Sequence, residues 1–136
     1  MLGRRIRRIV LLVLPTLALL AGGSAAQNPP PTCFGMKPTF VGTNGPDNFK
    51  GGPGPDVMVG EGGNDTLDGG GGNDLICGND GADTLHGGTG NDQIDAGNEN
   101  DVVTGDAGND TIDGGNGGDV INGGDGNDTE IGRAHV

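Results

Sequence analysis

Tryptophan and tyrosine are absent from the 136 residues, and three phenylalanines are the whole aromatic complement. A core built on large rings is therefore excluded, so any interior has to come from aliphatic side chains. Cations are nearly as scarce. Residues 27–129 carry 18 acidic side chains against Lys37 and Lys50 alone, a net of −16, which excludes a nucleic-acid-binding surface. The same stretch has no serine and one histidine, His86, so no Ser-His-Asp arrangement can be assembled there. Cys33 and Cys77 are its only thiols, and nothing flanking either lowers its pKa as a nucleophile needs. On these grounds the chain is read as having no catalytic residues and not being an enzyme.

Glycine is abundant, with 32 residues, and aspartate recurs in strict phase. Ten nonapeptides run without a gap over residues 42–131. The sixth position of each is aspartate: Asp47, Asp56, Asp65, Asp74, Asp83, Asp92, Asp101, Asp110, Asp119 and Asp128. The pattern is G-G-x-G-x-D-x-U-x with U apolar, and residues 87–95 (GGTGNDQID) match it at every defined position. A period of nine with this content is the mark of a calcium-binding parallel β-helix.

The chemistry of one repeat explains the pattern. Glycine fills the first position except at Ala96 and the fourth except at Glu99, and its access to positive φ predicts a sharp turn with inward carbonyls. Aspartate at the end of that turn adds carboxylate oxygens, and Ca²⁺ takes six to eight oxygen ligands. The eighth position holds nine apolar residues in succession, from Phe49 to Ile121. It reads as the inward residue of a three-residue strand, with positions seven and nine pointing out. A Gly/Asp-rich chain can also be a disordered linker, but a linker needs no inward residue at every ninth place.

These residues resemble the hemolysin-type, or RTX, calcium-binding repeat over about two-thirds of the chain. The resemblance implies an all-β fold, a right-handed parallel β-roll with two nonapeptides per turn. It also implies Ca²⁺ as the cofactor, up to about eight ions, held between the turns of repeats n and n+2. The pairs would run from Asp47 with Asp65 to Asp110 with Asp128. Repeat seven departs from the pattern at Ala96 and Glu99, which puts the pairs Asp83–Asp101 and Asp101–Asp119 in doubt. Eight Ca²⁺ ions would offset a net of −16, and stacked aspartates at about 4.8 Å repel one another without them. Metal is thus expected to be a condition of folding.

Residues 1–26 have the layout of a secretory signal peptide. Four arginines lead, an apolar run covers Ile9–Ala21, and cleavage is expected after Ala26. The run is short for a membrane span, so a secreted chain without a stable membrane anchor is expected over an uncleaved one. Residues 27–41 form a Pro-rich linker and an N-terminal cap in which Thr39-Phe40-Val41 supplies a first strand and Phe34 and Met36 add packing. If the strands of Phe40 and Cys77 share a sheet two rungs apart, Cys33 can reach Cys77. One Cys33–Cys77 disulfide is preferred to two free thiols, and it would contribute about 4 kcal/mol. The segment 130–136 lacks repeat character, places Glu130 in an apolar slot and resembles a translated sequencing adapter, so it is read as non-native.

The function these features imply is a secreted calcium-binding module that folds on export. A larger secreted enzyme, toxin or adhesin of which this is the N-terminal part is the alternative, although repeats that begin directly behind a signal peptide disfavour it. Passive calcium buffering is a third reading. Calcium ions are the one partner the sequence specifies.

Overall fold

The structure, a computed structural model, describes residues 31–132. The signal peptide, its cleavage point, linker residues 27–30 and tail residues 133–136 lie outside the described residues. No helix occurs among those described. Eleven strands follow in order: β1 (Phe40–Val41), β2 (Asn48–Lys50), β3 (Val57–Gly62), β4 (Thr66–Asp68), β5 (Leu75–Asp80), β6 (Thr84–Thr89), β7 (Gln93–Asn98), β8 (Val102–Ala107), β9 (Thr111–Gly115), β10 (Val120–Asn122) and β11 (Thr129–Gly132).

Odd and even strands segregate. One sheet has the order β1-β3-β5-β7-β9-β11 and the other β2-β4-β6-β8-β10. All pairings between these strands are parallel, with partners 18 residues apart, as in Met58↔Ile76↔Ile94 and Leu67↔Leu85↔Val103, except where an irregularity in β11 sets Gly132 against Gly115. Two nonapeptides therefore make one coil, and the chain is a β-solenoid of the parallel-roll type.

The eighth-position side chains fill the space between the sheets. Met58, Leu67, Ile76, Leu85, Ile94, Val103 and Ile112 are buried, and Phe40, Phe49 and Ile121 close the two ends. Rings Phe40 and Phe49 lie 5.6 Å apart, so the expected first strand does start the core.

Three expectations need correction. Strands β3 and β5 to β8 are six residues long, not three, because pairing continues into the next repeat through contacts such as Glu61↔Asn79 and Gly88↔Asp106. Outward positions are not all exposed. Val59 and Cys77, both at position nine, are buried with Cys33 in a second cluster on the outer face of the six-stranded sheet, flanked by Val57 and Leu75. The cap thus lies against a sheet face, and its Phe34 and Met36 are exposed. Cys33 and Cys77 are joined by a disulfide with Cα atoms 5.7 Å apart, which anchors the cap there. Glu130, in register with Ile112, is exposed and accepts a hydrogen bond from Gly123 N–H at 2.6 Å.

Candidate metal centre

The turns stack in two rows, one along each seam between the sheets, and the sixth-position aspartates stack with them. Each backbone N–H of one aspartate donates to Oδ1 of the aspartate 18 residues later. The first such bond is Asp47 to Asp65 at 2.8 Å and the last Asp110 to Asp128 at 3.0 Å. Between them come the bonds to Asp74, Asp83, Asp92, Asp101, Asp110 and Asp119. All eight anticipated n, n+2 pairs are brought together, including the two that repeat seven shares.

The second carboxylate oxygen has no such partner. In Asp65, Asp74, Asp83, Asp92, Asp101 and Asp110 the Oδ2 atom is buried without a hydrogen bond. Such an atom is costly to leave unmatched in a dry site. Burial is the first cause that raises the carboxyl pKa of each of the six. Asp83, Asp92 and Asp101 are pushed up to about 6, against the relief of a backbone hydrogen bond and with neighbouring carboxylates adding to the rise.

Beside five of the six orphan oxygens is a space that glycine leaves open; beside Asp101 the same position is Ala96. A Cβ on Gly60 would stand 2.4 Å from Asp65 Oδ2 and 2.7 Å from the Gly78 carbonyl oxygen. On Gly87 it would stand 2.5 Å from Asp92 Oδ2 and 2.7 Å from the Gly105 carbonyl oxygen. Carboxylate and carbonyl oxygens converge on one cradle, the hard-oxygen donor set that suits Ca²⁺. No group of three or more His, Cys, Asp or Glu side chains gathers among the described residues. The aspartates meet in pairs, and the other oxygens come from backbone.

The reason for glycine at position one differs from the sequence expectation. Its φ is not positive there; the left-handed residues from repeat three onward occupy positions two and four. Glu61, Asn79 and Asp106 adopt that conformation at position two, and Glu99 adopts it at position four with φ of 76°. Glu99 is held by a hydrogen bond from Gly81 N–H to its Oε2 at 2.7 Å. Sequence reasoning also missed the asparagines of position five. Asn91, Asn109 and Asn127 N–H groups donate in turn to the side-chain oxygens of Asn73, Asn91 and Asn109. The signal was there: asparagine fills that position in six of ten repeats, three of them within Asn-x-Thr sequons.

An open groove of about 830 Å³ lies beside the cap, between Pro31 and Asn116, and none of the sixth-position aspartates lines it. Its walls carry Glu61, Asp80, Asp95 and Asp113, with no histidine or lysine among them. His86 is on the other sheet, 3.7 Å from Asp106 Oδ2.

The fold and the turns define a parallel β-roll with paired aspartates in its seams. RTX calcium-binding nonapeptide repeats (4 copies) match residues 41–76, 78–112 and 95–130, and the chain belongs to that family. Its roll is a calcium-binding module. Comparison with curated proteins and with solved structures returned no match.

Proposed function

We propose that the chain is a secreted module that folds when it meets extracellular calcium, binding up to about eight Ca²⁺ ions through Asp47, Asp56, Asp65, Asp74, Asp83, Asp92, Asp101, Asp110, Asp119 and Asp128. The observation that carries this reading is the row of six buried, unpartnered Oδ2 atoms, five of them beside a backbone carbonyl across a position-one glycine. A bound divalent cation supplies the positive charge that these oxygens lack. The chain's own residues orient them: the n, n+2 hydrogen bond fixes Oδ1, and position-one glycine keeps the cradle open. The role is read as structural: the turn aspartates hold one another's backbone, and the hydroxyls of Thr43 and Thr39 that reach Asp47 and Asp56 are also tied to backbone carbonyls. Secretion is supported by the arginine-led, apolar layout of residues 1–26 and by the disulfide, which suits an oxidising compartment.

Far-UV circular dichroism during a calcium titration tests the proposal, with magnesium as control. A steep, calcium-selective gain of β signal between about 0.1 and 5 mM is the expected result. Full β signal already present in chelator, or none gained at saturating calcium, would overturn it.

A further inference from the structure

We infer that the roll is polarised: the coils of residues 39–77 hold their fold without calcium, and calcium then propagates order from that end toward β11. The inference rests on the calcium reading above and adds where folding begins.

The position-five asparagine ladder runs on to Asn127, but several other devices that need no metal occur at one end alone. The first two turns close on themselves, because Thr43 N–H donates to Asp47 Oδ2 at 2.6 Å and Gly52 N–H to Asp56 Oδ2 at 2.8 Å. Those two oxygens are satisfied, whereas the same atom is orphaned in every repeat from three to eight. The first two turns also carry Pro46 and Pro55 at position five, where later repeats use an N–H to reach the asparagine oxygen two repeats earlier. No earlier repeat lies beneath them, so the missing donor costs nothing.

Three more contacts reinforce that end. Thr39 Oγ1 accepts from Val57 N–H and donates to the Val57 carbonyl, both at 3.0 Å. Lys50 pairs with Asp68 across β2 and β4. The outer cluster of Cys33, Val59 and Cys77 straddles β3 and β5, and the disulfide locks it. Asp65 and Asp74 also leave orphan oxygens, but their turns adjoin the strands this clamp holds together. The inner core runs evenly from Met58 to Ile112, so it does not itself favour either end. Beyond β5 the outer face of the same sheet presents Asp95 and Asp113 in place of Val59 and Cys77, and no second apolar layer forms.

Hydrogen exchange read by mass spectrometry on the oxidised, full chain tests this in chelator, in calcium and after reduction. In chelator, amides of residues 39–77 are expected to exchange at least about tenfold more slowly than those of residues 93–131. Reduction, or Cys33→Ala, should abolish that difference, while excess calcium should protect both segments in either redox state. Equal exchange along the chain in chelator, followed by calcium protection throughout, overturns the inference and leaves the calcium reading standing. A difference that survives reduction overturns the disulfide's part in it. No protection by calcium anywhere sinks both.

Discussion

A Cβ on Gly60 would meet Asp65 Oδ2 at 2.4 Å and the Gly78 carbonyl at 2.7 Å, whereas one on Gly52 would meet nothing closer than 4.0 Å. Gly60→Ala is therefore expected to weaken calcium binding and to cost about 1–2 kcal/mol in the calcium-loaded roll, a moderate loss because Ala96 is accommodated at the same position of repeat seven, with Gly52→Ala near neutral. Thermal melts of the two variants in excess calcium check the contrast. Substitution of Asp92 should act with opposite sign in the two metal states. Its carboxylate is buried, and burial holds its pKa up at about 6. Asp92→Asn keeps an oxygen to accept from Asp74 N–H but removes the buried charge. In chelator at pH 7.5 it should stabilise the roll by up to about 3 kcal/mol, and in a calcium titration it should raise the midpoint.

At the scale of strands, the two faces of the six-stranded sheet do different work. Its inner face joins the roll's core, while Val59 on its outer face is buried against the disulfide-anchored cap. Val59→Ser should cost about 1–3 kcal/mol, and Val102→Ser, on an outward residue 46% exposed in β8, should cost little. Denaturant midpoints in calcium separate the two. Three of the turns share one pH dependence. Asp83, Asp92 and Asp101 have carboxyls near 6 in the roll against 3.8 in a free chain, so the folded form binds more protons between those values. Stability in chelator is thus greatest below about pH 4 and is lost as pH rises through about 6. With calcium present the dependence reverses, because protons compete with the ion for the same oxygens. Melting at pH 4.5 and 7.5, each with chelator and with calcium, should give slopes of opposite sign.

For the whole molecule, charge is the dominant fact. Residues 27–129 carry a net of −16 with two lysines, and aspartates stack from one coil to the next. Even sixfold occupancy, one ion for each orphaned oxygen, would remove most of that charge. Electrophoretic mobility of the signal-free chain should fall toward zero as calcium rises to saturation, and magnesium at the same concentration should leave it high. Mobility unchanged by calcium would contradict the proposed ligand set.

The nine-residue period and the inward residue of each strand were legible in the residues themselves. They follow from local chemistry repeated in phase, and a one-residue slip would turn every eighth-position side chain outward. The n, n+2 pairing of aspartates came instead from the resemblance to the RTX repeat, and the partner of Cys33 from the presence of one other cysteine in the exported segment. The sequence did not disclose why position one is glycine, since that depends on an oxygen 18 residues away in another coil. Nor did it foresee that Glu99 would tolerate its turn, which needs the Gly81 N–H of the neighbouring coil. The outer cluster over β3 and β5 was likewise a decision of tertiary structure. Val57, Val59 and Leu75 looked like outward residues of ordinary repeats, and only the docking of a segment without repeat character made them a second core. Periodicity sets contacts between equivalent positions; where a non-periodic segment packs is settled by the surface it finds.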